Sequence, residues 1–269
     1  MDATMEITVN GNIFNYQIDG LEDAPWVIFS NSLATDLRMW DGQVEVFKNR
    51  YRILRYDTRG HGRSAASTAP YTFDLLVSDV IGLMNALSIE KAHYVGLSLG
   101  GMTGLGVALG HGDRLLSLTV CDARALAETE WAEAWNDRIA TVREMGMEPL
   151  VEPTIGRWFT EACQQNEPQM MDKVRSMIRQ TSAEGYIGCA LALQKLNYIQ
   201  RLGEITLPTL FMTGASDHST PPEAAKAMHG LIKGSTCVIV DPASHISNME
   251  NPGQFDRALA EHLDSIKQN

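Results

Sequence analysis

The sequence predicts an α/β fold: a mostly parallel eight-stranded sheet with helices on both faces and a helical cap inserted after strand 6. Short apolar segments bounded by turn residues alternate with longer segments of helical spacing, which is the pattern of parallel strands joined by helices. The alternation stops after residue 124 and resumes after residue 199. A chain of 269 residues has room for one large domain with a small insertion.

The N-terminal half contains six of the predicted strands. Apolar residues at 7–9 and 14–18 flank the dipeptide Asn10-Gly11, which is a strong hairpin signal. The next four strands are predicted at 26–30, 51–56, 93–97 and 115–121. Helical spacing between them predicts helices at 73–87 and 101–109.

A change of character marks the inserted segment. From residue 126 to about residue 199 the sequence has helical spacing, many charges and no convincing strand. Beyond it, strands are predicted at 207–213 and 236–240 and helices at 222–231 and 255–266. We therefore assign residues 1–124 and 200–269 to the core domain and residues 125–199 to a helical cap subdomain.

Composition narrows the class of function. The net charge of −11, without a compensating basic run, argues against nucleic acid as a partner. No stretch approaches about 18 consecutive apolar residues, so no membrane span is expected. The start of the chain, with Asp2 and Glu6, lacks the basic and apolar regions of a signal peptide. The four cysteines form no C-x-x-C pair, which favours free thiols in a cytoplasmic protein. A homodimer stays open.

The pentapeptide Gly96-Leu97-Ser98-Leu99-Gly100 matches the G-x-S-x-G nucleophile elbow of the α/β-hydrolase fold. The pentapeptide alone is a weak signal, because small residues recur by chance. Here it directly follows the predicted strand 93–97 and opens a predicted helix, which is the corner that the elbow requires. Small neighbours relieve the crowding around a serine held in a strained backbone conformation. We therefore predict Ser98 as a nucleophile.

A serine nucleophile needs a base and an acid, which follow it in this fold in the order Asp or Glu, then His. His245 lies in the loop after the predicted strand 236–240, where the fold places its base. Asp217 follows the strand that ends at Thr213, and a turn there can direct its carboxylate to His245. Asp122 follows the strand 115–121, from which some members of the fold supply the acid. We favour Asp217, and Asp122 remains the alternative.

The tetrahedral intermediate needs donors for its oxyanion, and backbone position assigns them. One is the N–H of Leu99, the residue after the nucleophile, and the other is the N–H of Leu33, in the loop after strand 26–30. If the substrate carries a carboxylate, cations and aromatic residues of the cap are candidates for binding it. The simpler alternative is that the arginines are solvated and the aromatic residues only pack the cap helices together. The predicted substrate-binding residues are Arg124, Trp135, Arg138 and Tyr186, with Arg143, Arg157 and Lys195 as further cations in or beside the cap.

Several segments resemble the 3-oxoadipate enol-lactonases. They lie at 31–40, 55–64, 96–101 and 244–250 in the core and at 135–143, 157–159 and 184–186 in the cap. The resemblance covers nearly the whole chain and implies the hydrolysis of a small carboxylated enol-lactone in bacterial aromatic catabolism, without cofactor or metal. Carried over by position, it implies a Ser98, Asp217 and His245 triad with Leu33 and Leu99 as oxyanion donors.

Two segments depart from that family's pattern. Residues 121–124 read Cys-Asp-Ala-Arg where the family tends to read Asn-Thr-Ala-Ala, and residues 194–198 replace an expected acidic segment. We expect both segments to border the pocket, so another lactone or ester stays open as the substrate. A C–C bond or cyclic amide hydrolase on the same triad is an alternative. A second alternative is a receptor that keeps the triad but uses the pocket to sense a small molecule.

Overall fold

The computed structural model describes residues 5–266. Asp2, part of the start from which the absence of a signal peptide was predicted, lies outside the described residues. The strands form a single sheet in the order β1-β2-β4-β3-β5-β6-β7-β8, in which β2 is antiparallel to both neighbours and β3 to β8 are parallel. The predicted eight-stranded, mostly parallel sheet is therefore confirmed. Its strands are β1 Met5–Val9, β2 Asn12–Gly20, β3 Trp26–Ser30, β4 Arg52–Tyr56, β5 Ala92–Leu97, β6 Leu115–Cys121, β7 Thr209–Gly214 and β8 Thr236–Val240.

The hairpin of β1 and β2 turns at the predicted dipeptide. Asn10 and Gly11 have φ values of 50° and 71°, so two consecutive residues are left-handed. This is the geometry of a type I′ turn, whose twist matches that of the strands it joins. Val9 pairs directly with Asn12 across the turn.

Helices cover the sheet in two groups. In the first, α2 packs on α3, and α3 packs on β5 and β6; in the second, α1 packs on α11, and α11 packs on β7 and β8. The first helical residue of α3 is Leu99, two residues before its predicted start, so the helix begins directly at the elbow. The core helices are α1 Asp41–Phe47, α2 Phe73–Ala86, α3 Leu99–His111, α9 Pro222–His229, α10 Ser247–Glu250 and α11 Pro252–Ser265.

The segment between β6 and β7 is helical, as its spacing predicts. Its helices are α4 Thr129–Met145, α5 Val151–Trp158, α6 Glu161–Asn166, α7 Pro168–Gln180 and α8 Ala183–Leu193. The two ends of this segment pair with each other, because Ala127 N donates to Leu196 O at 2.8 Å and Tyr198 N donates to Ala125 O at 2.7 Å. These bonds close the segment at its base, and residues 125–199 are called the cap segment below. No helix within residues 5–266 is long and apolar enough to cross a membrane.

Candidate active site

Ser98 stands at a sharp corner between β5 and α3. Its φ of 53° and ψ of −113° lie in a region that residues other than glycine rarely adopt, which stores about 1–3 kcal/mol of strain. A Cβ on Gly96 would lie 2.3 Å from Gly100 O, and a Cβ on Gly100 would lie 2.2 Å from Ser30 O. Both positions therefore require glycine. Ser98 N donates to Cys121 O at 2.8 Å, which holds the corner against β6.

His245 and Asp217 are hydrogen-bonded, with 2.9 Å between His245 Nδ1 and Asp217 Oδ2. Asp217 also accepts from Thr220 Oγ1 at 2.6 Å and from the backbone N–H groups of Ser219 and Thr220 at 2.8 and 3.0 Å. Burial acts to raise the pKa of the Asp217 carboxyl, but the charge and hydrogen bond of His245 and the bonds from Thr220 outweigh it and hold this pKa below its ordinary value. Asp217 is thus an ionised acceptor that fixes the imidazole tautomer and orientation.

Asp122 is buried near Asp217 but forms its hydrogen bonds with other residues. Its Oδ1 accepts from Gly214 N at 2.8 Å, and its Oδ2 accepts from Ser247 Oγ at 2.5 Å. Complete burial, together with the charge of Asp217, raises the pKa of Asp122 well above its usual range. Of the two candidate acids, the structure brings Asp217 and not Asp122 against His245.

The loop after β3 approaches the elbow through its backbone. Gly100 N donates to Asn31 O at 3.0 Å, and the Asn31 side chain donates to Tyr56 O and accepts from Trp40 Nε1. Within residues 5–266, the N–H groups of Leu33 and Leu99 donate to no protein acceptor. The first N–H groups of a helix have no partner inside the helix, and Leu99 is the first residue of α3. Two backbone donors are therefore available beside Ser98.

Ser98 and His245 open onto a cavity of about 180 Å³ between the core and the cap segment. Three tryptophans of the cap segment, Trp131, Trp135 and Trp158, form much of its wall. Leu33, one of the predicted oxyanion donors, also lines the cavity. A cavity of this size admits a small ring compound.

Two cap arginines, Arg138 and Arg157, also line this cavity. Among the described residues, neither forms an ion pair with a carboxylate: Arg157 donates to Thr154 Oγ1 at 2.9 Å, and Arg138 lies 4.6 Å from the ring centroid of Trp135. Burial, with the positive charge of Arg138 added, lowers the pKa of Arg157 to about 10. Two cations close together in a partly buried, aromatic-walled cavity favour an anionic ligand.

The structure separates the four predicted substrate-binding residues into two groups. Trp135 and Arg138 line the cavity, whereas Arg124 and Tyr186 do not. Arg124 donates to Ser219 O at 3.0 Å and lies 4.4 Å from the ring centroid of Trp131. Its guanidinium therefore interacts with two lining residues and does not itself line the cavity. Tyr186 is buried against Trp135, with 6.4 Å between ring centroids. Neither side chain lines this cavity, and their assignment to substrate binding stays a prediction.

The two divergent segments also lie outside the lining of this cavity. None of residues 121–124 or 194–198 lines the cavity, and Lys195 is exposed. Sequence reasoning placed Arg157 only among several cap cations and did not assign Trp131 or Trp158 to the pocket. The segment 157–159, which resembles the enol-lactonases, was the available signal for two of these residues. No cluster of three or more His, Cys, Asp or Glu side chains within residues 5–266 is arranged to hold a metal ion.

Comparison with known proteins identifies the family and the fold of this chain. A family model described as the alpha/beta hydrolase fold matches residues 25–252. The chain is 37% identical over 253 residues to 3-oxoadipate enol-lactonase 2 of Acinetobacter baylyi, covering 94% of each protein. It belongs to the 3-oxoadipate enol-lactonase-like family of α/β-hydrolases. The expected family and fold are thereby confirmed.

Solved structures support the same membership in the α/β-hydrolases. The enol-lactonase from Burkholderia xenovorans superposes with a TM-score of 0.94 at 36% identity, covering 97% of this chain and 100% of that one. A thermophilic esterase from Thermogutta terrifontis, solved with malate bound, has a TM-score of 0.92 at 28% identity, covering 99% and 100%. The family resemblance therefore extends over the cap segment as well as the core.

Proposed function

We propose that this protein is a lactone hydrolase that opens a small, carboxylated lactone through an acyl-enzyme on Ser98. The observation that carries the proposal is the pair Arg138 and Arg157, which faces the cavity of Ser98 and His245 without a carboxylate partner among the described residues. A substrate carboxylate supplies that partner. The relatives named enol-lactonases, and the related esterase with malate bound, support the same substrate class.

The proposed reaction uses each group at a defined atom. Ser98 Oγ attacks the acyl carbon while His245 Nε2 accepts the hydroxyl proton, and the carboxylate of Asp217 stabilises the resulting imidazolium. The N–H groups of Leu33 and Leu99 stabilise the oxyanion, each by about 3 kcal/mol at the transition state. The C–O bond of the ring breaks, and the leaving oxygen takes the proton from His245. His245 then deprotonates a water molecule, which attacks the acyl carbon. The bond between that carbon and Ser98 Oγ breaks, Oγ takes the proton back from His245, and the hydroxy or keto acid is released.

The arrangement of domains is part of the proposal. We assign residues 125–199 to a cap subdomain that supplies the aromatic and cationic wall, and residues 1–124 and 200–269 to the core that supplies the triad. The ends of the cap segment are hydrogen-bonded to each other, which supports this boundary.

A cytoplasmic location is also part of the proposal, and the four free cysteines support it.

The test compares two lactones of the same ring size, one with a free carboxylate side chain and one with its methyl ester. We expect the purified enzyme to hydrolyse the carboxylated lactone with the higher kcat/KM. Ser98→Ala should abolish the hydrolysis of both. Arg138→Met and Arg157→Met should each lower kcat/KM for the carboxylated lactone by about 10- to 100-fold, the range of a lost charged hydrogen bond. Arg143→Met, at an exposed position of the same helix α4, is the matched control.

Two results would refute this proposal. One is equal kcat/KM for the two lactones in the wild-type enzyme, and the other is an unchanged preference in both pocket arginine variants. A cyclic amide of the same ring, and a substrate cleaved at a C–C bond, belong in the same panel. Faster turnover of either would assign the triad to that alternative chemistry. Turnover below about one per minute on every compound would favour a receptor.

A further inference from the structure

The loop that carries His245 is bonded directly to the end of cap helix α5. Ser244 Oγ donates to Arg157 O at 3.3 Å, and Ile246 N donates to Trp158 O at 3.3 Å. The residues on both sides of the candidate base are thus bonded to the backbone of a pocket arginine and a pocket tryptophan. Core and cap are therefore hydrogen-bonded to each other on both sides of His245.

One carboxylate, that of Glu250, binds both sides of this junction. Its Oε2 accepts from Ser244 N at 2.7 Å, on the loop of the base. Its Oε1 accepts from Thr160 N at 3.0 Å and from Thr160 Oγ1 at 2.5 Å, on the cap segment just beyond α5. These three bonds join the loop of His245 to the cap segment through a single side chain.

The junction determines the relative position of three groups in the cavity. Arg157 and Trp158 end α5, and the ring of Trp158 lies 6.0 Å from that of His245, at an interplanar angle of 31°. All three side chains line the same cavity. A displacement of α5 relative to the base loop therefore changes the distance between the bound carboxylate and the catalytic base.

We propose that Glu250 is a positioning residue that aligns a carboxylated substrate, held by Arg157, with His245. The inference rests on the proposed function, because it requires a substrate anchored at Arg157. Asp217 holds His245 from the other side, so loss of Glu250 displaces the α5 end and leaves the imidazole in place. An anchored substrate is then held out of register, and a misplacement of about 1 Å costs about 100-fold in rate.

The alternative is that Glu250 stabilises the fold alone. A structural role lowers the activity toward both lactones equally, together with the amount of folded enzyme. A positioning role lowers kcat for the carboxylated lactone and leaves its KM within about threefold, because Arg157 still binds the carboxylate. The lactone methyl ester, which Arg157 does not anchor as an anion, should lose little activity.

The test is a double-mutant cycle with Glu250→Gln and Arg157→Met, measured on both lactones. We expect Glu250→Gln to lower kcat for the carboxylated lactone by about 10- to 100-fold and to have less than about threefold effect once Arg157 is replaced. Thr160→Val removes one of the three bonds, together with the cap bond that Thr160 Oγ1 accepts from Cys163 N at 3.3 Å. It should give a smaller loss on the carboxylated lactone, which also tests the proposal if Glu250→Gln does not fold. Thr141→Val, whose hydroxyl bonds only to Asp137 O within α4, is the control.

An equal loss on both lactones would overturn the positioning role, and so would an effect of Glu250→Gln that is the same with and without Arg157. These results leave the proposed function standing if the wild-type enzyme prefers the carboxylated lactone. A wild-type enzyme without that preference refutes the proposed function itself, and the positioning role with it. The two failures are therefore distinguished by the wild-type measurement.

Discussion

Replacing Asp217 with Asn tests which of the two buried carboxylates supports the base. Asp217 accepts from His245 Nδ1 at 2.9 Å through Oδ2, while its Oδ1 accepts two backbone N–H groups. In Asp217→Asn the amide oxygen keeps the backbone bonds, so the amide N–H₂ faces His245 Nδ1. Two donors cannot meet there, and the imidazole must take the tautomer with its proton on Nε2. That nitrogen can then no longer accept the proton of Ser98.

The expected loss is about 10⁴-fold in kcat, the size found when a triad carboxylate is replaced by its amide. At about 1.4 kcal/mol for each factor of ten, this corresponds to about 5–6 kcal/mol of transition-state stabilisation. KM should change little, because Asp217 does not line the cavity. The assay is the steady-state hydrolysis of the carboxylated lactone at pH 7.5.

Asp122→Asn is the matched control, because it makes the same chemical change in a neighbouring buried carboxyl. Burial and the charge of Asp217 raise the pKa of Asp122, and this carboxyl bonds to Gly214 N and Ser247 Oγ instead of to His245. Its amide keeps the bond from Gly214 N and can donate to Ser247 Oγ. We expect less than a tenfold change in kcat. A loss of about 10⁴-fold in Asp122→Asn, or activity near that of the wild type in Asp217→Asn, would refute the assignment of the acid.

Two further predictions concern stability. Gly100→Ala places a Cβ 2.2 Å from Ser30 O and should destabilise the fold by about 3 kcal/mol or more in urea unfolding, whereas Gly110→Ala, in open space on the same helix, should stabilise it by about 0.5–1 kcal/mol. Equal effects would contradict the close approach. Burial, and the neighbouring His262, lower the pKa of His93 to about 4, below its value of about 6.5 in the unfolded chain. Between about pH 6.5 and 4 the unfolded state therefore binds a proton that the folded state does not. The contribution of His93 lowers the free energy of unfolding as the pH falls through this range. His93→Gln should gain relative to the wild type by about 1.4 kcal/mol per pH unit from pH 6.5 to 4.5, and a constant difference would contradict this.

The sequence alone determined the features that depend on short segments and on chain order. A strand followed by G-x-S-x-G and a helix specifies a corner by its local sterics, so Ser98 was found without any distant contact. The hairpin at Asn10-Gly11 follows from the same kind of local backbone preference. The loop after the last strand located His245, because the fold orders its site along the chain.

Tertiary structure alone decided which side chains meet. Asp122 and Asp217 both follow parallel strands, and only the turn that directs Asp217 to His245 distinguishes them. The residues that line the pocket depend on how helices distant in sequence pack on the core. In this packing Arg157 lines the cavity, whereas Arg124 bonds to Ser219 O outside the lining. Helical spacing shows that a residue lies on a face, but the packing of that face depends on contacts across the whole chain. The sequence therefore locates the chemistry, and the fold selects the groups that bind the substrate.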